Sequence, residues 1–82
     1  MPYIGQVERE ELNAKMRSPE TPGELNYVIT KEIIAYLNRQ GRNYTTMNAI
    51  VGVLESAKTE FQRREVANYE DHKIKSNGDV YQ

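Results

Sequence analysis

Met47, Ile50, Leu54, Ala57 and Phe61 recur at alternating intervals of three and four residues. That spacing lays one apolar stripe along a helix face, and Val51 and Val53 widen it. Thr45 or Thr46 can cap the start, because a hydroxyl there accepts from an unpaired backbone N–H. No proline follows Pro22 to stop the helix. The pattern predicts one long helix from Tyr44 to Ile74, with Leu54 buried within the protomer. Past Phe61 the interval fails. Arg64, Glu65 and Asn68 fall where the stripe would continue, and the apolar positions become Val66, Tyr69 and Ile74. A second face takes over, and a helix that changes face often changes partner. From Thr46 to Asp71 it would measure about 39 Å, against a radius of gyration of about 12 Å for a compact chain of this length. Either the helix breaks near Arg63–Glu65 or another chain covers its overhang. Gly52 is either a point of close approach by another helix or a tolerated glycine.

The rest of the chain reads in order. Met1 to Gln6 is an extended arm, with Tyr3 and Ile4 as its apolar contacts and Gly5 as a turning point. Val7 to Met16 forms a short helix with acidic residues at its start, Glu8, Glu10 and Glu11, which suit the helix dipole. Val7, Leu12 and Met16 are its thin apolar face. Ser18 to Gly23 is a hinge with two prolines. Thr21 then caps a second helix, Pro22 takes the first helical position, and Glu24 completes a capping box. Leu25, Val28, Ile29, Ile33, Tyr36 and Leu37 line its apolar face, and Gly41 is a left-handed stop. The loop from Gly41 to Tyr44 is short, so the two principal helices are antiparallel neighbours. Asn77-Gly78 marks a turn before a tail, from which Val80 and Tyr81 pack back or reach a neighbour. The expected architecture is all-α. It is a single helical domain over 1–82, with an arm at 1–6, a short N-terminal helix, an antiparallel helical hairpin with a long C-terminal helix, and a flexible tail at 76–82.

Composition adds one constraint. Seventeen of the 82 residues are Leu, Ile, Val or Phe, just above the fraction where disorder becomes the default. The core is lean, and lean small domains commonly gain stability by oligomerising. A homo-oligomer is therefore expected, with Val66 and Tyr69 meeting another chain. Cysteine is absent, which excludes disulfides and thiolate metal sites. No apolar run reaches membrane-spanning length, and no signal segment opens the chain. A cytoplasmic protein off the membrane is expected. A net charge of −1 gives no reason to expect bulk DNA binding.

Several segments together resemble a known family. They are Met1-Pro2-Tyr3-Ile4, Gly23-Glu24-Leu25-Asn26-Tyr27 with Ile29-Thr30, Ile50 to Glu55, Glu60-Phe61-Gln62-Arg63-Arg64, Tyr69-Glu70-Asp71 and Asn77-Gly78-Asp79-Val80-Tyr81. The pattern is similar to that of a small family of uncharacterised proteins of phages, bacteria and archaea, over nearly the whole chain. Residues 5 to 20 are shorter than the pattern. Gln62 stands where it has an aromatic, and Asn68 where it has a proline. The resemblance implies a phage or prokaryotic origin and brings no activity with it.

Catalytic chemistry finds little support. His72 is the only histidine, flanked by Asp71 and Lys73 as at a solvated helix end. Ser18, Ser56 and Ser76 have no histidine at local spacing. Glu8 and Glu11 form a pair of the kind that holds metal in some hydrolases, yet no second acidic pair completes a cage. The expectation is no enzyme, no metal and no cofactor. A binding role has more to work with. Lys58, Arg63, Arg64, Lys73 and Lys75 recur along the long helix, with Tyr69 among them. Phosphate needs charge-assisted donors and a base needs a face to stack on. Arg63, Arg64, Tyr69 and Lys73 are therefore the candidate ligand-binding residues. A helix is not expected to point both arginines at one carboxylate, and Tyr69 and Lys73 share a face at i, i+4. The leading expectation is a non-catalytic oligomeric binding protein that sequesters a small anionic or nucleotide signal, as a phage would need against host defence. The alternative is a protein–protein adaptor or inhibitor docking through the long helix.

Overall fold

A computed structural model describes residues 4–81. Its elements are α1 (Gln6–Asn13), α2 (Pro22–Gln40), α3 (Tyr44–Phe61), a π-helical turn (Gln62–Val66) and α4 (Ala67–Asn77). The protein is all-helical, with no strand among the described residues. The chain divides into two compact units that part between Thr46 and Met47.

In the first unit, α1 packs against α2 and buries Leu12 to 7% exposure. Leu12 is the only buried apolar side chain among the described residues. The helix predicted over Val7 to Met16 stops at Asn13, and Val7 and Met16 are exposed rather than facing the core. The helix ends early because the backbone turns at Lys15, whose φ is +57. Met16 N–H donates to Glu11 O (2.9 Å) and Lys15 N–H to Leu12 O (3.1 Å). These are the two bonds of a Schellman stop, which normally places glycine where Lys15 stands. Gly5 precedes α1 in extended backbone, φ −69, which any residue adopts. Of the predicted arm, Ile4 is half-buried and its carbonyl accepts from Arg9 Nε (3.1 Å), while Tyr3 lies outside the described residues.

The start of α2 follows its predicted cap. Thr21 Oγ1 accepts from Glu24 N–H (3.1 Å), with Pro22 at the first position. The other half of the box differs. The Glu24 carboxylate reaches past the cap to Glu20 N–H (2.9 Å). It also takes a two-pronged bond from Arg17, Nη1 to Oε1 at 2.7 Å and Nη2 to Oε2 at 2.8 Å. Arg17 Nε bonds Glu11 of α1 at 3.3 Å, so one guanidinium ties both helices to the hinge. Hydrogen bonding from Arg17, then from the Glu20 N–H, pulls the Glu24 carboxyl down to about 2. Tyr27 Oη adds a bond to Asn13 Oδ1 (2.8 Å). Val28, Ile33 and Leu37 of the predicted apolar face are half-buried, whereas Leu25, Ile29 and Tyr36 remain exposed. At the far end Gly41 has φ +108, open to glycine, but ψ is 142 rather than left-handed helical. The predicted caps Thr45 and Thr46 are displaced by Asn43, whose Oδ1 accepts from Thr46 N–H (2.9 Å).

The second unit is a helix from Met47 to Asn77. Of the two alternatives for the overhang, a break near Arg63–Glu65 does not occur. The helix widens there instead, and Ala67 N–H donates to Gln62 O across the π-turn. The full helix from Tyr44 to Asn77 spans roughly 51 Å at 1.5 Å per residue. One residue of a π-turn acts as an insertion into an α-helix. At roughly 100° per residue, it rotates Val66 and Tyr69 back into line with Met47, Ile50, Leu54, Ala57 and Phe61. The predicted second face is thus mostly the first one resumed, with Ile74 left off it. Asn68 Nδ2 donates to Arg64 O (2.6 Å) just beyond the turn. No residue from Met47 to Tyr81 is buried. Leu54, predicted to be interior, is 42% exposed, because no second layer exists within this unit to receive the stripe. After α4, Val80 and Tyr81 stand exposed and do not pack back.

Two outcomes follow for the first unit. Leu12→Ala should destabilise it by about 2–3 kcal/mol in urea unfolding followed by circular dichroism. A carboxyl lowered on folding stabilises above its unfolded value and loses that stabilisation as pH falls toward the folded one. The melting temperature should therefore fall from pH 4.5 toward about 2, and Glu24→Gln should flatten that part of the profile.

Candidate functional site

The four residues singled out on the long helix come together as two pairs. Arg63 and Arg64 sit inside the π-turn, and Tyr69 and Lys73 on α4. Both arginines point at one carboxylate, contrary to expectation. Arg63 Nη2 lies 3.3 Å from Glu60 Oε2, and Arg64 Nε lies 2.7 Å from the same oxygen. Glu60 stands three residues before one arginine and four before the other, and both spacings reach the same helix face. Two cations thus share one anion, leaving a surplus positive charge. All three side chains are more than half exposed. Lys73 Nζ stands over the Tyr69 ring, 5.6 Å from its centre, as the i, i+4 spacing implies. Tyr69 itself is 62% exposed. The site is an open helix surface carrying cations beside the apolar stripe.

A second place was not anticipated from the sequence. In the first unit, a cleft of about 580 Å³ opens between the end of α1, the hinge and α2. Leu12, Pro19, Val28 and the Tyr27 ring give it hydrocarbon walls, and Lys15 and Lys31 stand at it. The signal in the sequence was Tyr27 and Lys31 at i, i+4, on a face of α2 away from its predicted apolar one. Nothing in the sequence pointed to Lys15, whose place depends on the turn that ends α1.

Among the described residues, no group of three or more His, Asp or Glu side chains is placed to hold a metal ion. No helix among them is long and apolar enough to cross a membrane. The class is all-helical. The chain belongs to the family described as a domain of unknown function, DUF6899, whose match covers residues 1–80. No curated protein matches it significantly, and neither does any solved structure.

The paired charges here are solvated, so their removal should be mild. Glu60→Gln should lower the stability of the long helix by about 0.5 kcal/mol. Lys73→Ala should cost a similar amount, roughly 0.5–1 kcal/mol. Both are readable as reduced helicity on warming.

Proposed function

We propose that this is a non-catalytic binding protein that acts as a homo-oligomer, with the long helix as its docking element. One observation carries the reading. The apolar stripe from Met47 through Phe61, resumed at Val66 and Tyr69, lies on a unit with no buried residue among those described. A contiguous exposed stripe of this kind marks an interaction surface. An antiparallel second copy fits its charges. A twofold axis at Arg64, the middle of the π-turn, sets Lys58 level with Glu70 of the second copy and Glu55 level with its Lys73. Such a pairing is self-complementary, as a twofold interface requires.

A second reading has its own support, the positive surplus where Arg63 and Arg64 share Glu60. In it, the oligomer sequesters a small anion such as a nucleotide, without turnover. Arginine forks supply paired donors to phosphate oxygens. Lys73 adds a point charge, and the Tyr69 ring a stacking face. On one helix the two pairs lie on different faces, so a second copy would complete the site.

Sedimentation at micromolar concentration should reveal an oligomer, and Leu54→Asp or Phe61→Asp should dissociate it. A wild-type protein that sediments only as a monomer would sink the first reading. For the second, nucleotides, cyclic dinucleotides included, are titrated by calorimetry into wild type and Arg64→Ala. Loss of one charged donor should weaken binding by about 1.5–3 kcal/mol. No heat with wild type, or unchanged affinity in the variant, would remove the anion site and leave the docking role standing.

A further inference from the structure

The cleft of the first unit has the makings of a ligand site separate from the long helix. Its volume, about 580 Å³, lies within the usual range for small-molecule pockets. Its walls are supplied from two directions. The end of α1 brings Leu12 and Asn13, and α2 brings Tyr27, Val28 and Lys31. The bond from Tyr27 Oη to Asn13 Oδ1 holds the tyrosine ring across the gap between the two helices. One side of the cleft is therefore a fixed flat aromatic surface, and the rest is largely hydrocarbon.

The charges sort by whether they are already spent. Arg17 lines the cleft, but its fork is committed to Glu24 and its Nε to Glu11. The side chains of Lys15 and Lys31 make no ion pair or hydrogen bond among the described residues. Glu32 is the one unpaired acid on the lining. On the lining, two unpaired ammonium groups stand against one carboxylate, while Arg17 is shared behind it by Glu11, Glu20 and Glu24. Lysine gives point charges rather than a fixed fork, which suits a carboxylate or sulfonate as well as a phosphate ester.

Lys15 carries a further sign. It occupies a backbone conformation, φ +57, that glycine would take without cost. Strain of this kind in a non-glycine residue concentrates at ligand sites. The strained residue here is also the one that delivers an unpaired cation to the cleft.

We infer that the cleft between α1 and α2 binds a small organic monoanion with a flat apolar body. The body lies against Tyr27 and Val28, and the anionic end meets Lys15 and Lys31.

The test is an NMR titration of the full chain, labelled with 15N. Benzoate is the probe, with benzamide and benzylamine as its neutral and cationic counterparts. Benzoate should shift the amides of Asn13, Lys15, Val28 and Lys31 saturably. It should bind at least about fivefold more tightly than benzamide, and benzylamine should give no saturable shift. Lys31→Gln should weaken benzoate about fivefold or more. Lys15→Gly separates folding from binding. It should raise the melting temperature, because it relieves the positive φ, while weakening benzoate by a similar factor. Equal binding of benzoate and benzamide would overturn the inference. So would unchanged affinity in both lysine variants, or the absence of any saturable shift up to the solubility of the probe. Shifts confined to residues 47–77 would likewise refute it, and would point to the long helix without bearing on the oligomer.

Discussion

The bond between Arg17 and Glu24 is what the first unit depends on. Among the described residues its buried hydrophobic interior is one leucine, too little to set the angle between two helices. Arg17 lies in the hinge, Glu11 in α1 and Glu24 in α2, and the guanidinium reaches both acids at once. Glu24 also holds Glu20 N–H with its carboxylate and gives its own N–H to Thr21. One residue thereby fixes the hinge, the helix start and the helix–helix joint. Lysine could not replace Arg17, since a single ammonium lacks the fork that fills both oxygens of Glu24. With the carboxyl held near 2, the joint stays charged throughout the ordinary pH range.

The second unit solves the same shortage of apolar residues in the opposite way. Its hydrophobic side chains are aligned along one helix and left in water, while its charges pair locally with neighbours on the same helix. Local pairs of exposed charges contribute little, and an isolated helix of even good sequence is marginal. The two units therefore answer to different variables. The first loses stability when acid protonates a carboxyl. The stability of the second, on the oligomeric reading, is set by protomer concentration.

The sequence made some of this plain and concealed the rest for identifiable reasons. The Thr21–Pro22–Glu24 start was legible because capping chemistry is local, and the Lys73–Tyr69 contact because i, i+4 spacing is. The end of α1 was not, because a lysine in a glycine conformation leaves no mark in composition. Asn43 went unseen behind Thr45 and Thr46, which are equally good caps placed too late. The exposure of Leu54 was not legible, because periodicity tells which residues share a face and not whether anything covers it. The sharing of Glu60 by two arginines was hidden because adjacent residues diverge on a helix, although both spacings to Glu60 are favourable. For the cleft, the lining depends on how two helices meet, which pattern alone does not carry.

The π-turn also bears on how this chain compares with its relatives. A widened turn holds one residue more than the helix on either side of it. A chain lacking one residue between Gln62 and Val66 could form an ordinary α-helix there and still present the same continuous stripe. A single-residue gap at this place in an alignment would then mean conserved outward geometry, although a gap within a helix is usually taken for a break. Equivalent side chains on the two sides of the turn should accordingly be matched by helix face, with the numbering allowed to slip by one.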